Sequence, residues 1–361
     1  MSLSTIPYIR WAKMESARGE HPLTMSAVPP VDWAELGMEP GELELCRYSD
    51  YGDPEILSGL GQPWGIGAEE ILLASSTTHA HFCFAASILR PGDRVLHERP
   101  GYLPVLDALS MLDVEGIPFE RPFEKGYALP RDAIEESVRR RGARLILVTH
   151  LHNPSGVALT EEESAYLAGL CEETGVEVLA DEIYRPFLDP DPGPLHRHHG
   201  NIVTVQGLNK VHGLPLIRVG WGIATPERVE QARRVLDATT IHNSCLSDQV
   251  ARFALGRLGE LETRARRIAA AGWGVVGPWL ARSPFEVVEP AAGLICFPRL
   301  PAGRFSDGDH LREALLEVGV GVTPGRFFGA PRHVRIGFGL PPTALREALP
   351  RINKLITPDP E

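Results

Sequence analysis

Five short runs of branched apolar residues, each ending in a polar cluster, constrain this chain more than any other feature. They lie at 94–98 (RVLHE), 145–149 (LILVT), 176–180 (VEVLA), 202–206 (IVTVQ) and 219–224 (VGWGIA). Between them, 131–140 and 160–174 carry the spacing of amphipathic helices. The second opens on Thr160 with Glu163 three residues later, the pattern of a capping box. Alternating buried strands and helices build a mainly parallel sheet covered on both faces. Such a sheet receives its ligands at the carboxyl ends of the strands. An α/β fold is therefore expected.

From 260 to 282 the apolar spacing becomes that of one long helix with arginine-rich faces. Beyond it, an extended segment at 285–298, a helix at 309–318, strands at 321–323 and 334–338 and a helix from Thr343 describe a smaller α+β unit. The pattern divides the chain into a large unit over 46–265 and a small C-terminal unit, with its linking helix, over 266–361. Residues 1–45 read as an irregular N-terminal arm that joins the small unit or a partner subunit.

Composition removes whole classes of function. A chain of 361 residues can bury its cores without disulfide or metal staples. Its 47 acidic against 36 basic residues give a net charge of −11, which argues against a nucleic-acid binder that needs clustered cations. The five cysteines (Cys46, Cys83, Cys171, Cys245 and Cys296) are odd in number, scattered and without a CxxC pair. That excludes a disulfide framework and a thiolate zinc site, and points to a reducing, cytoplasmic setting. No apolar run approaches the ~20 residues of a membrane span, and the first 15 residues lack the apolar core of a signal peptide. His196, Arg197, His198 and His199 fall in a Pro/Asp-flanked loop with no metal-ligand spacing, so no metal is expected. The arginines near 264–267 read as a solvated helix face.

The polar clusters carry the chemistry. Run 145–149 leads into His150, Leu151, His152, Asn153, Pro154, Ser155 and Gly156; run 176–180 leads into Asp181, Glu182, Ile183 and Tyr184. Run 202–206 leads into Gly207, Leu208, Asn209 and Lys210, with Arg218 eight residues further on. Singly these are a turn, a helix cap and solvated charges. Together, an aspartate, a tyrosine, a lysine and an arginine at one sheet edge suit a cofactor with a pyridine nitrogen, a phenolic oxygen, an aldehyde and a phosphate. Pyridoxal 5′-phosphate (PLP) is that cofactor. Its aldehyde takes a lysine as a Schiff base, and its ring needs a carboxylate to stay protonated and draw electrons.

NPSG at 153–156, DEIY at 181–184 and NK at 209–210 followed by Arg218 resemble, in that order, the class I/II aminotransferases of PLP fold type I, the aspartate aminotransferase-like enzymes. The resemblance runs from about Tyr51 to Phe338. It implies a mainly parallel seven-stranded sheet flanked by helices, with Lys210 as the Schiff-base lysine and Asp181 as partner of the pyridinium nitrogen. It further implies Asn153 and Tyr184 as donors to the ring oxygen and Arg218 as a phosphate ligand. Ser76, Thr77 and Thr78 open a helix after a strand, and match the family's phosphate loop; free N–H groups and hydroxyls there suit a phosphate. Tyr102 resembles the aromatic residue stacked on the ring. Tyr51 resembles the tyrosine that reaches the neighbouring subunit's phosphate, which implies a homodimer with shared sites. Arg335, with Asn153 beside it, resembles the arginine that grips the substrate α-carboxylate, where a planar fork makes two parallel hydrogen bonds. Strand alternation also sets Arg335 on the face opposite Val334 and Ile336. The reaction implied moves an amino group from an amino acid to a 2-oxo acid.

Departures accompany the match. Gly207 stands where the family usually has serine, removing one hydroxyl from the phosphate cradle. His152 is unusual at its position, and the stretch from Tyr51 to Ser76 is short, so a connecting helix is expected to be truncated. The N-terminal segment and YGDPE start also resemble a subgroup that includes capreomycidine synthase. Within the fold, cyclisation, oxidation or elimination on an arginine-derived or sulfur amino acid is therefore the alternative to amino transfer. A cofactor-binding transcription regulator is disfavoured because no helix-turn-helix pattern precedes Tyr51. His152, His212, His242, Tyr8, Arg10 and Trp11 are pocket candidates that no motif supports.

Overall fold

In a computed structural model, residues 5–45 and 50–356 are described; Cys46 lies outside them. Seven strands form the main sheet: β1 (Ile71–Ala74), β2 (Arg94–Arg99), β3 (Glu115–Glu120), β4 (Ala143–Thr149), β5 (Glu177–Asp181), β6 (Ile202–Gly207) and β7 (Gly220–Ile223). Their order is β1-β7-β6-β5-β4-β2-β3. The five strands β2 to β6 run parallel to one another, and β7 is antiparallel to both β6 and β1. Successive side chains point to opposite faces, so each strand feeds two cores. Leu145, Leu147 and Leu179 pack with Phe84, Val229 and Leu236 on one face. Ile146, Val148 and Val178 pack with Ile134, Leu167 and Leu170 on the other. Each fully buried side chain of this kind contributes about 1.5–3 kcal/mol.

The helices meeting the sheet are α2 (Thr77–Ile88), α3 (Arg131–Arg141), α4 (Glu161–Thr174) and α5 (Pro226–Thr239); α1 (Pro7–Met14) lies far from them in sequence. The expected capping box opens α4: Thr160 Oγ1 accepts from Glu163 N at 3.1 Å, and Glu163 Oε2 accepts from Thr160 N at 2.9 Å. α2 lies unusually close to β7. A Cβ added at Gly220 would meet Thr77 N at 2.3 Å, and one at Gly222 would meet Phe84 Cε2 at 2.2 Å. Two glycines thus let α2, from its first turn to Phe84, rest against β7.

A second assembly consists of β8 (Ile295–Cys296), β9 (Thr323–Pro324) and β10 (Val334–Gly337), antiparallel in the order β9-β10-β8. It is packed by α6 (Leu258–Leu280), α7 (Gly308–Glu317) and α8 (Pro342–Ile356) around Trp279, Leu311, Leu315, Ile336 and Leu349. The N-terminal segment enters this assembly. His21–Pro22 pairs parallel with Val320–Gly321, and Leu23 O accepts from Gly337 N at 2.8 Å.

Two expectations need correction. The N-terminal arm is not irregular: Pro7 starts α1, where its fixed φ and missing N–H suit the first turn. The arginines of α6 are not simply solvated, because Arg264 bonds Glu35 and the Pro29 carbonyl and Arg266 bonds the Pro186 carbonyl. The short connection after Tyr51 carries an eight-residue helix, Pro54–Gly61, continued by single 3-10 turns.

Candidate active site

The carboxyl ends of β4, β5 and β6 deliver Thr149, Asp181 and Gly207 to one edge, and a cavity of about 200 Å³ opens there. Thr77, Thr78, Tyr102, Asn153, Asp181, Tyr184, Asn209 and Lys210 all line it. Residues spread over more than 130 positions are thereby brought within reach of one small molecule.

At the floor, Asp181 accepts from Ile183 N through Oδ1 at 3.0 Å, and its Oδ2 stands 3.8 Å from His81 Nε2. Lys210 Nζ donates to Ser26 Oγ at 3.2 Å. Burial first, and the nearby charge of Arg335 second, lower the Lys210 pKa to about 8 against the opposing pull of Asp181. A lysine at that value is partly unprotonated near neutrality, as an amine nucleophile requires. Burial pushes Tyr184 up to about 12, and its hydroxyl donates to the Ser26 carbonyl at 2.8 Å. The turn after β4 is closed by Gly156 N to His152 O at 2.7 Å and holds Asn153 facing the cavity.

Arg335 is nearly inaccessible, at 1% exposure, and Val334 and Ile336 are buried beside it, so β10 is covered on both faces. Its Nη1 donates to Asn153 Oδ1 at 3.0 Å and its Nη2 to Tyr8 Oη at 2.9 Å. No carboxylate lies within ion-pair distance of it among the described residues. A buried guanidinium without a carboxylate partner calls for an anion, and its partners Asn153 and Tyr8 both line the lysine cavity.

Besides Arg335, which reaches the cavity only through Asn153 and Tyr8, three expected residues stand outside its lining. Ser76 caps α2, its Oγ accepting from His79 N at 3.0 Å. Arg218 is exposed, bonds the Pro215 carbonyl at 3.3 Å, and still helps to lower the Lys210 pKa by its charge. Tyr51 is 40% exposed, with its hydroxyl 3.1 Å from Asp237 and Arg233 over its ring. Among the histidines, His152 is committed to packing, with its ring nitrogens on Ser155 Oγ and the Pro100 carbonyl. Burial lowers His150 to about 4, leaving a neutral ring that accepts from Leu159 N. His212 lines a different cavity, beside Trp64 and Arg185, and His242 is exposed. Among the described residues, no group of three or more His, Cys, Asp or Glu side chains is placed to hold a metal.

Sequence reading missed His81 and Ser26, and it gave Tyr8 no motif. His81 follows Thr77 by one helical turn, so a histidine on the same helix face as Thr77 was a usable signal. Ser26 has no local pattern that marks it.

The missing hydroxyl at Gly207 has a steric cause. A Cβ there would meet Thr77 Oγ1 at 2.6 Å, and that hydroxyl lies 3.4 Å from Asn209 Oδ1. Thr77 therefore fills the space a serine at 207 would use. With the N–H groups at the start of α2, it forms a cradle suited to a phosphate. The shifted lysine, the carboxylate on the floor and this cradle together fit PLP.

The fold and this site define a PLP enzyme of fold type I. The family model for aminotransferase class I and II matches residues 42–352, and the chain belongs to that PLP-dependent family. It is 27% identical over 309 residues to a probable aspartate/prephenate aminotransferase of Aquifex aeolicus, covering 80% of this chain and 76% of that protein. It is 28% identical over 349 residues to capreomycidine synthase of Streptomyces vinaceus, covering 94% and 88%. A PLP-dependent aminotransferase from Streptococcus suis superposes with a TM-score of 0.92 at 22% identity, covering 100% of both chains. No described helix is long and apolar enough to cross a membrane.

Proposed function

We propose that the protein transfers an amino group from an amino acid to a 2-oxo acid, with PLP bound covalently to Lys210. The observation that carries this reading is one cavity in which a half-buried lysine with its pKa lowered to about 8 lies beside Asp181, with the carboxylate-free Arg335 bonded to Asn153 of the same lining. When bound, PLP supplies an electrophilic aldehyde and an electron-withdrawing ring. Asp181 holds the proton on the ring nitrogen. Asn153 and Tyr184 donate to the ring oxygen, and Tyr102 stacks on the ring. Ser76, Thr77, Thr78 and Arg218 hold the phosphate, joined by Tyr51 from a partner subunit in a homodimer with shared sites. Arg335 docks the α-carboxylate in a bidentate pair, assisted by Asn153. Lys210 Nζ, in the cavity beside Asp181, would be the base that takes up the substrate's α-proton and gives a proton back. In this reading, residues 46–265 carry the cofactor, 266–361 and the N-terminal arm carry the carboxylate grip, and the enzyme works in the cytoplasm.

The test is a half-reaction. Purified holoprotein mixed with single amino acids should lose its visible band, gain a stable ultraviolet band and release one equivalent of 2-oxo acid. Borohydride should fix the cofactor on the peptide that contains Lys210. A label on Lys13, Lys125 or Lys354, or an unchanged band with every amino acid, would overturn the reading. The likeness to capreomycidine synthase over 94% of this chain supports, as the second reading, a same-fold PLP reaction other than amino transfer, such as cyclisation of an arginine-derived amino acid. That chemistry restores the visible band after each turnover instead of leaving it bleached.

A further inference from the structure

A chain of buried polar groups runs along three adjacent strand ends behind the cavity. Arg121, just past β3, donates through Nη1 to Glu98 Oε1 and through Nε to the Tyr127 carbonyl. Glu98, near the end of β2, accepts through Oε2 from Thr149 N at 2.9 Å and from Thr149 Oγ1 at 2.7 Å. Thr149 closes β4, and its hydroxyl oxygen accepts from Asn153 N at 3.0 Å. Asn153 Oδ1 then accepts from Arg335. Arg121, Glu98 and Thr149 are 1%, 4% and 7% exposed, and the contacts run without a gap from an ion pair to the carboxylate grip.

Direction is what this chain imposes. A hydroxyl has one proton. Glu98, engaged by Arg121, can only accept, so Thr149 must spend its proton there and turn a lone pair toward Asn153 N. The turn is thereby fixed by a bond that no other orientation of Thr149 supplies. With Asn153 Oδ1 held by Arg335, the amide nitrogen is the group left to donate into the cavity. A buried ion pair is a weak source of stability, and its better attested use is to specify one arrangement among several.

We infer that Glu98, Arg121 and Thr149 are positioning residues that aim Asn153 at the cofactor ring oxygen and at Arg335. The inference rests on the proposed function and adds to it a control on ring chemistry and carboxylate docking from three residues that touch neither ligand. Thr149→Val keeps the shape and the backbone bond to Glu98 but removes both hydroxyl bonds. Full-length Thr149→Val holoprotein should stay folded and yellow, with KM for the amino acid raised about tenfold, the loss expected for one weakened hydrogen bond. The pH midpoint of its visible band should move up by about one unit, because a ring oxygen short of one donor leaves the adjoining nitrogen holding its proton more tightly. Thr149→Ser, which restores the hydroxyl, should return both values to those of the parent. A purely structural role would lower Tm and leave midpoint and KM in place. Parental values in Thr149→Val, or a serine variant as impaired as valine, would overturn the inference. If the valine variant does not fold, Glu98→Gln is read on the same two measurements, with the same outcomes deciding. A parent that takes up no PLP on Lys210 would instead refute the functional reading itself.

Discussion

Lys210 is the residue whose environment makes the sharpest demand on experiment. A folded pKa of about 8 against an ordinary 10.5 means that below pH 8 the amine is mostly protonated and cannot attack an aldehyde. PLP uptake by the apoprotein should therefore quicken about tenfold per pH unit up to about pH 8 and then level, followed by stopped-flow absorbance. A rate still climbing at pH 10 would mean an unshifted lysine. The sign for stability follows from the same shift. Between about pH 8 and 10.5 the unfolded chain binds the proton that the folded apoprotein has released, so apoprotein stability rises with pH through that window. Arg335 makes a second demand. Lysine can replace its charge but not its simultaneous bonds to Asn153 and Tyr8. Arg335→Lys should keep PLP and lose about 2–5 kcal/mol in kcat/KM for amino acids, with carboxylate-free amines little affected; undiminished kcat/KM would move the grip elsewhere. The residues legible in the sequence were those whose chemistry is written within five or six positions, such as NPSG or DEIY. Glu98, Thr149 and Ser26 were not, because each acts through a partner in another strand or in the N-terminal arm, and sequence spacing carries no record of that pairing.

Among the elements, the start of α2 and the end of β6 are matched surfaces. Gly207→Ser should push against Thr77 Oγ1, only 2.6 Å from the added Cβ, and weaken PLP binding by about 1–3 kcal/mol as overpacking does. Combining it with Thr77→Ala should recover most of the loss, measured as the PLP dissociation constant by fluorescence quenching. Additive losses in the double variant would show that the two positions do not share one space. The strands β2, β4, β5, β6 and β7 were readable because burial on both faces demands unbroken apolar runs. β3 was not, because an edge strand can carry Gly116 and Pro118 and bury only alternate residues. α1 was missed for a related reason: eight residues give scarcely two turns of periodicity, and what holds the helix is Trp11 and Tyr8 packing on Phe327 and Phe328.

At the scale of the whole molecule, one face remains apolar. Leu216 is 85% exposed and Trp33 44%, flanking a groove of about 290 Å³ with Pro30, Val31 and Ile217. This loop follows Lys210 by six residues, so a subunit seated there would border the site. Leu216→Asp should convert a dimer into a monomer by sedimentation velocity, with a matching loss of activity if Tyr51 works across the interface. Mixed Tyr51→Phe and Lys210→Ala subunits should exceed either parent in activity, because one of the two shared sites is then intact. A fully active monomer would remove the shared-site reading. The fold class was legible from strand–helix alternation alone; the proposal of a dimer came only through the family resemblance, since nothing in a single sequence says which apolar loop residue stays outside.

The bond from Arg335 to Tyr8 also sets a timetable. Its two ends are 327 residues apart, and His21–Pro22 likewise waits for Val320–Gly321. On a ribosome adding about 5–20 residues each second, the first helix emerges roughly 15–65 seconds before the arginine that will hold it. The sheet that carries Lys210 and Asp181 is by then fully translated. The nascent protein can thus assemble the floor that carries Lys210 and Asp181, and Tyr102 against which Tyr8 packs, while the Arg335 side of the cavity is still being made.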